Sequence, residues 1–217
     1  MFDGFTPQTV DFLWGIRMNN NREWFLEHKK DYVDHLYQPM KDLGQKIFQL
    51  FEDRPGDLLK VSRIYRDARM HHAVPYKESL WICIRKDVQW WAENPCLFFE
   101  ICPEGVSYGL VYWKPRPATL ERMRQHWAAQ PEEFLHLVAE TEKKTGLPIT
   151  ADLYKRPKEA PTEALAPYFG WKGNICCVAE EPVSEAMFGP ELGDRAYQLI
   201  EQLIPLYEYF NQLTIDN

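Results

Sequence analysis

The apolar positions of the chain change period twice, and the changes mark out three stretches. Up to residue 52 the spacing is helical. In "TPQTVDFLWGIRM" Thr6 can cap a helix with Pro7 in its first turn, and Val10, Phe12, Leu13, Trp14 and Ile16 fall toward a core side. "NNNREWFLEHKKDYVDHLYQPMKDLGQKIFQLFED" follows, with Asn20 and Glu23 three apart as a capping box, and Asn19 and Asn21 as further cap or turn residues. Trp24, Phe25, His28, Tyr32 and Leu36 recur near helical intervals. Pro39 predicts a split or a kink, because it lacks an amide hydrogen and crowds the preceding turn.

From Leu58 to Trp113 the period falls to two. "LLKVSRIY", "LWICIR", "CLFFEIC" and "SYGLVYW" read as strands separated by "HHAVPYK", "ENP" and "PEG", and "ICPEGVSYGLVYW" predicts a hairpin turning at Glu104 and Gly105. Helical spacing returns in "PATLERMRQHWAAQ" and "PEEFLHLVAETEKKTG", each with proline in its first turn, the second ending near Gly146. Residues 147–190 hold six of the sixteen prolines and read as an irregular arm with one strand, "NICCVAE"; a last helix runs from about Pro190 to Leu213. Helices, then strands, then helices predict an α+β fold over a single domain, 1–217. Its antiparallel sheet would have about four to six strands, flanked by N-terminal, central and C-terminal helices.

Composition sharpens this picture. At 217 residues, 45% of them hydrophobic and eight of them Trp, the chain can bury a core without staples. The five cysteines, Cys83, Cys96, Cys102, Cys176 and Cys177, have no C-x-x-C spacing and lie in or beside apolar runs, which predicts reduced, buried thiols. "MFDGFTPQTVDFLWGI" carries an acid where a secretory signal needs basic residues, and no stretch approaches a membrane span; the cytoplasm is the expected compartment, with no membrane partner. A net charge of −7 disfavours non-specific binding to nucleic acid or anionic lipid, so only a local patch could reverse the field.

One such patch exists, in "RIYRDARMHHAVPYK", residues 63–77. From Lys60 to Lys77 five basic residues face one acid, a local charge of +4 that leaves −11 on the rest of the chain. If the segment starts as a strand, Arg63, Tyr65, Asp67 and Arg69 share one face, and Ser62, Ile64, Arg66 and Ala68 the other. A guanidinium keeps its charge at neutral pH, and its planar fork matches a carboxylate or phosphate in two-point contact. Tyr65 and Tyr76 can add a hydrogen bond or a stacking face. The cluster calls for an anion, which the chain's own carboxylates could also supply in a structural network.

The residues "FDGF", "NNNREWF", "RIYRDAR" followed by "PYK", and "LYKRPK" with the later Lys172 resemble the bacterial and fungal proteins of domain-of-unknown-function family 2461, nearly end to end. Arg63, Arg66, Asp67, Arg69, Tyr76 and Lys77 match the family's arginine-rich run, while Met70 and a shorter "HHAV" depart from it. The resemblance implies no activity; it marks the run as the family signature.

Other candidates carry less. The adjacent His71 and His72 point apart in an extended segment, as do Cys176 and Cys177, so no metal site is expected. Glu23 reads as a capping residue before an acid or base, and Trp24, Phe25, Trp90, Trp91, Phe98 and Phe99 read as packing before a base-stacking platform. Lys155, Arg156, Lys158 and Lys172 form a second basic group, a solvated face or one that folds back toward Arg66 and Lys77. No nucleotide, hydrolase or zinc signature occurs, and no cofactor is expected.

Two functional classes follow. One is a pocket for a phosphorylated or carboxylated small molecule, as binder or enzyme, lined by Arg63, Tyr65, Arg66, Asp67, Arg69, Tyr76, Lys77 and Lys172. The other is a non-catalytic module whose basic strip docks an acidic segment of a protein partner. A purely structural pairing of the arginines is the third reading.

Overall fold

The computed structural model describes residues 2–67, 69, 73–156 and 158–214. About 50% of it is helical, around a six-stranded antiparallel sheet, which is an α+β architecture.

α1 (Pro7–Met18) opens where the Thr6 N–H donates to Thr9 Oγ1 at 3.1 Å. Its buried stripe is Thr9, Phe12, Leu13 and Ile16, a spacing of three, one and three. Trp14 lies off that stripe and is exposed, contrary to its expected place in the core, and the Arg17 guanidinium lies over its ring at 4.9 Å. α2 (Arg22–Glu27) is capped by Asn21, whose Oδ1 accepts from the Trp24 N–H at 3.0 Å; the cap thus falls one residue after the expected Asn20. Asn19 closes α1 with its side-chain amide on Gly15 O, so the three consecutive asparagines have three separate partners.

α3 (Lys29–Asp31) runs through a π-helical turn, Tyr32–Tyr37, into α4 (Gln38–Phe48). Pro39 lies in the first turn of α4, and the Gln38 N–H bonds to Val33 O, five residues back. The chain passes Pro39 by widening its hydrogen-bond ladder ahead of it, with no split.

The strands are β1 (Asp57–Val61), β2 (Leu80–Lys86), β3 (Cys96–Cys102), β4 (Gly105–Tyr112), β5 (Thr150–Leu153) and β6 (Trp171–Pro182), in the order β1-β2-β3-β4-β6-β5. β1 stops earlier than the apolar run suggests. The Ser62 N–H donates to Trp81 O at 2.8 Å, but the Trp81 N–H turns to the Ser62 hydroxyl at 2.9 Å in place of a backbone carbonyl, and the ladder ends there. The β3–β4 turn falls at Pro103 and Glu104, one residue ahead of the expected Glu104 and Gly105. Gly105 (φ 155°) follows it, and a Cβ there would lie 2.1 Å from Glu181 O, so no larger residue fits. β5 is an unexpected element: four residues of edge strand, three of them exposed, paired antiparallel with β6 across a register shift. α5 (Pro117–Ala129), α6 (Pro131–Thr145), α7 (Ala166–Phe169) and α8 (Glu191–Leu213) complete the fold, α6 ending on Gly146 in the left-handed conformation.

The contacts of the chain group into two compact units. The first takes the chain up to Ile84 with Phe98–Tyr108 and Glu180–Gln198. In its core Phe5 stacks on Phe99 at 5.9 Å and Phe99 on Tyr108 at 5.7 Å, with Leu13, Leu36, Met40 and Ile47 fully buried. The second takes Arg85–Leu97, Gly109–Ala179 and the chain from Leu199. Its centre is Trp127 stacked on Phe134 at 4.3 Å, with Trp171 edge-on to Trp127 at 5.7 Å. Trp90, read from sequence as a packing residue, precedes a short 3-10 turn and is exposed. Cys83, Cys96 and Cys177 are buried, Cys102 and Cys176 half-buried, all as free thiols. No helix among the described residues is long and apolar enough to cross a membrane.

Candidate functional site

Beyond β1 the chain leaves the sheet and returns to it as β2, and the two legs of this excursion hold each other. Tyr65 and Tyr76 form an antiparallel bridge, with Arg66 N–H to Pro75 O at 2.8 Å and Lys77 N–H to Ile64 O at 2.7 Å. Residues 62 to 67 alternate as the two-residue period requires: Ser62 and Ile64 are buried, Arg63, Tyr65 and Asp67 exposed, Arg66 half-buried. The Tyr76 ring is 4% exposed and stacks on Phe25 at 4.3 Å. Its backbone is clamped by Asn20, whose Oδ1 accepts from the Tyr76 N–H at 3.0 Å while its Nδ2 donates to Tyr76 O at 3.0 Å. Arg66 Nε donates to the same carbonyl at 2.8 Å. Tyr76 is therefore an internal post, and Arg66 is fastened to it.

A hollow of about 700 Å³ opens beside this post, lined from the first unit alone by Arg17, Tyr65, Arg66, Asp67, Lys77 and Glu78, with Ser79, Glu100, Cys102 and Ser107. Its polar floor follows from strand alternation. In β3 Leu97, Phe99 and Ile101 are buried in the core, while Phe98, Glu100 and Cys102 take the opposite face, which Ser107 of β4 shares in the hollow.

The charges in the hollow are not equivalent. Arg17 Nε donates to Glu78 Oε2 at 2.7 Å, and its other nitrogens reach both oxygens of Glu104. Those hydrogen bonds keep Arg17 charged and hold the Glu104 carboxyl down at about 2. Asp67 accepts from Arg69 Nε at 3.0 Å and Nη2 at 2.7 Å, a bidentate pair on the outer surface with Arg69 88% exposed. Glu100 Oε1 accepts from the Ser79 hydroxyl at 2.6 Å. Arg66 and Lys77 differ: among the described residues neither has a carboxylate within 4.0 Å. Lys77 Nζ lies 5.4 Å from the centre of the Trp81 ring. Burial, and then the neighbouring Arg66 charge, pull the Lys77 pKa down, against an opposing pull from Glu100.

The sequence candidates thus separate. Tyr65, Arg66, Asp67 and Lys77 meet in the hollow, Tyr76 supports it from within, Arg63 is exposed, and Arg69 is tied to Asp67. Lys172 is exposed on β6 in the second unit, where Lys158 pairs with Glu121. His71 and His72 lie outside the described residues, and among those described no three His, Cys, Asp or Glu side chains are grouped to hold a metal ion. Arg17, Ser79, Glu100 and Ser107 were missed. Glu100 had a readable signal, since it is the lone charge inside the apolar run "CLFFEIC", whereas Arg17 looks like any cation in the last turn of a helix.

The family model for conserved hypothetical proteins matches residues 8–209. The chain belongs to that family, DUF2461. The match takes in both legs of the excursion and every residue lining the hollow. No curated protein matches the chain.

Proposed function

We propose that the hollow binds a small phosphorylated or carboxylated molecule through Arg66 and Lys77. The observation that carries this reading is the contrast among the cations. Arg17 and Arg69 spend their charge on Glu78, Glu104 and Asp67, whereas Arg66 and Lys77 face an open cavity with no carboxylate partner among the described residues. Two half-buried positive charges without a counter-ion are unfavourable, and an anion that enters relieves that cost. Arg66 is also preorganised, because its Nε bond to Tyr76 O fixes the fork while the two terminal nitrogens stay available.

The reading of a purely structural network draws support from the Arg69–Asp67 pair and from Arg17 with Glu78 and Glu104. Docking of an acidic protein segment draws support from Arg63, exposed beyond the hollow.

A thermal-shift screen against phosphate, nucleotides, sugar phosphates and dicarboxylates at low salt tests the proposal. A ligand at about one hundred times its Kd stabilises the fold by about 2.7 kcal/mol. Arg66→Ala removes that gain. A ligand whose shift survives in the variant binds elsewhere and refutes the assignment.

A further inference from the structure

The ligand needs more than an anionic group. We infer that the hollow selects an anion that also carries hydroxyl groups, such as a sugar phosphate or polyol phosphate, with Glu100 as the residue that reads the hydroxyls. This rests on the anion-binding reading and narrows it.

Charge is distributed unevenly across the cavity. Arg17, shared between Glu78 and Glu104, leaves one negative charge in excess there, and Asp67 is matched by Arg69. Arg66 and Lys77 against Glu100 leave one positive charge in excess, so the site is neutral as a whole, with its cations lacking a carboxylate partner among the described residues at Arg66 and Lys77. Glu100 stands on the sheet floor, with one oxygen fixed by the Ser79 hydroxyl at 2.6 Å. A carboxylate offers about four lone-pair sites, so acceptor capacity remains for donors from a guest. Those donors could belong to an ammonium or to hydroxyls. Arg66 and Lys77 decide between them, because two like charges without a carboxylate partner among the described residues already share this lining with Glu100. A further ammonium would add to that repulsion, while neutral hydroxyls satisfy Glu100 and add no charge.

The surroundings agree. Ser107 adds a second hydroxyl to the lining, and the half-exposed Tyr65 ring gives a flat wall for the carbon-bearing face of a sugar. A purely anionic guest, such as a dicarboxylate, would instead bring a second negative charge toward Glu100 and be repelled.

Two matched esters test this on the unaltered chain: glycerol phosphate and propyl phosphate, which differ only in two hydroxyls, titrated by calorimetry at low salt. Glycerol phosphate binds at least about tenfold more tightly, the effect of hydrogen bonds to a charged acceptor. Glu100→Gln, verified as folded by circular dichroism, removes most of that preference and leaves propyl phosphate bound as well or better. Arg66→Ala abolishes binding of both. Equal affinity for the two esters, both lost in Arg66→Ala, overturns hydroxyl selection and leaves the anion site standing. A preference that persists in Glu100→Gln overturns the role of Glu100. Binding of neither ester overturns both the inference and the reading beneath it.

Discussion

Arg66 and Tyr76 are joined through Nε and a backbone carbonyl at 2.8 Å, and that single bond aims the rest of the guanidinium into the hollow. Because the bond uses Nε alone, charge and geometry can be separated by substitution. Arg66→Lys keeps the charge and loses both the fork and the anchor. We expect Arg66→Lys to weaken binding of a phosphate ester about tenfold or more and Arg66→Ala to abolish it, while each lowers the unliganded stability by only about 1 kcal/mol. Calorimetric titration beside urea denaturation reads the two effects separately. An Arg66→Lys variant that binds at full strength removes the two-point contact from the mechanism.

Asn20 is predicted to matter more to stability than its neighbours in the asparagine run. It satisfies both the N–H and the C=O of Tyr76, residues 56 apart in sequence, inside a partly buried site. Asn20→Ala leaves the N–H without its acceptor, and we expect a loss of about 2–3 kcal/mol in urea denaturation. Asn21→Ala removes a helix cap and costs about 1 kcal/mol. The opposite ranking contradicts the clamp. Asn20→Ala also loosens the carbonyl that holds Arg66, so anion affinity falls with it.

These two residues show what the sequence could and could not disclose. The order of helices and strands was legible because it rests on local periodicity: the β3–β4 turn, one residue from its expected place, and the end of α6 at Gly146 follow from turn and cap chemistry that neighbours enforce. The meeting of Arg66 and Lys77 was legible for the same reason, as both lie on one short excursion. What escaped was long-range. Asn20 reads as a helix cap in every local respect, and only the arrival of Tyr76 gives it another partner. The contacts of Arg17 with Glu78 and Glu104 span 61 and 87 residues, so which arginines are neutralised could not be read from spacing. β5 escaped because a four-residue edge strand with three exposed positions buries too little to leave an apolar pattern.

Arg124 gives a prediction for the second unit. Its side chain is 5% exposed, with Nε on Phe169 O at 3.1 Å and Nη2 on Trp171 O at 2.7 Å, so it ties the end of α7 to the start of β6. Glu121 supplies the counter-charge at 3.5 Å. Arg124→Leu strands two buried carbonyls, and we expect a destabilisation of about 3 kcal/mol or more in equilibrium unfolding. Glu121→Gln, which leaves those hydrogen bonds in place, costs less. A near-neutral Arg124→Leu would mean that water or a local shift satisfies the carbonyls.

Lys77 couples pH to stability and to binding with opposite signs. Its pKa in the folded chain lies below the ordinary 10.5, because burial and Arg66 disfavour the ammonium. Between the folded value and 10.5 the unfolded chain holds the proton more often, so the unliganded fold gains stability from Lys77 as pH rises through that window. At lower pH, where both states are protonated, the buried charge is a constant penalty. Anion binding runs the other way, since the ammonium is the form that attracts the ligand and an entering anion raises its pKa again. As pH rises toward the ordinary 10.5, above the range in which a phosphate ester titrates, we expect affinity to fall while the unliganded chain gains stability. Lys77→Arg keeps its charge throughout that rise and should flatten the affinity profile. The readouts are calorimetric Kd and urea midpoint across the same buffers. An affinity as steep in Lys77→Arg as in the parent chain would assign the pH dependence to another group.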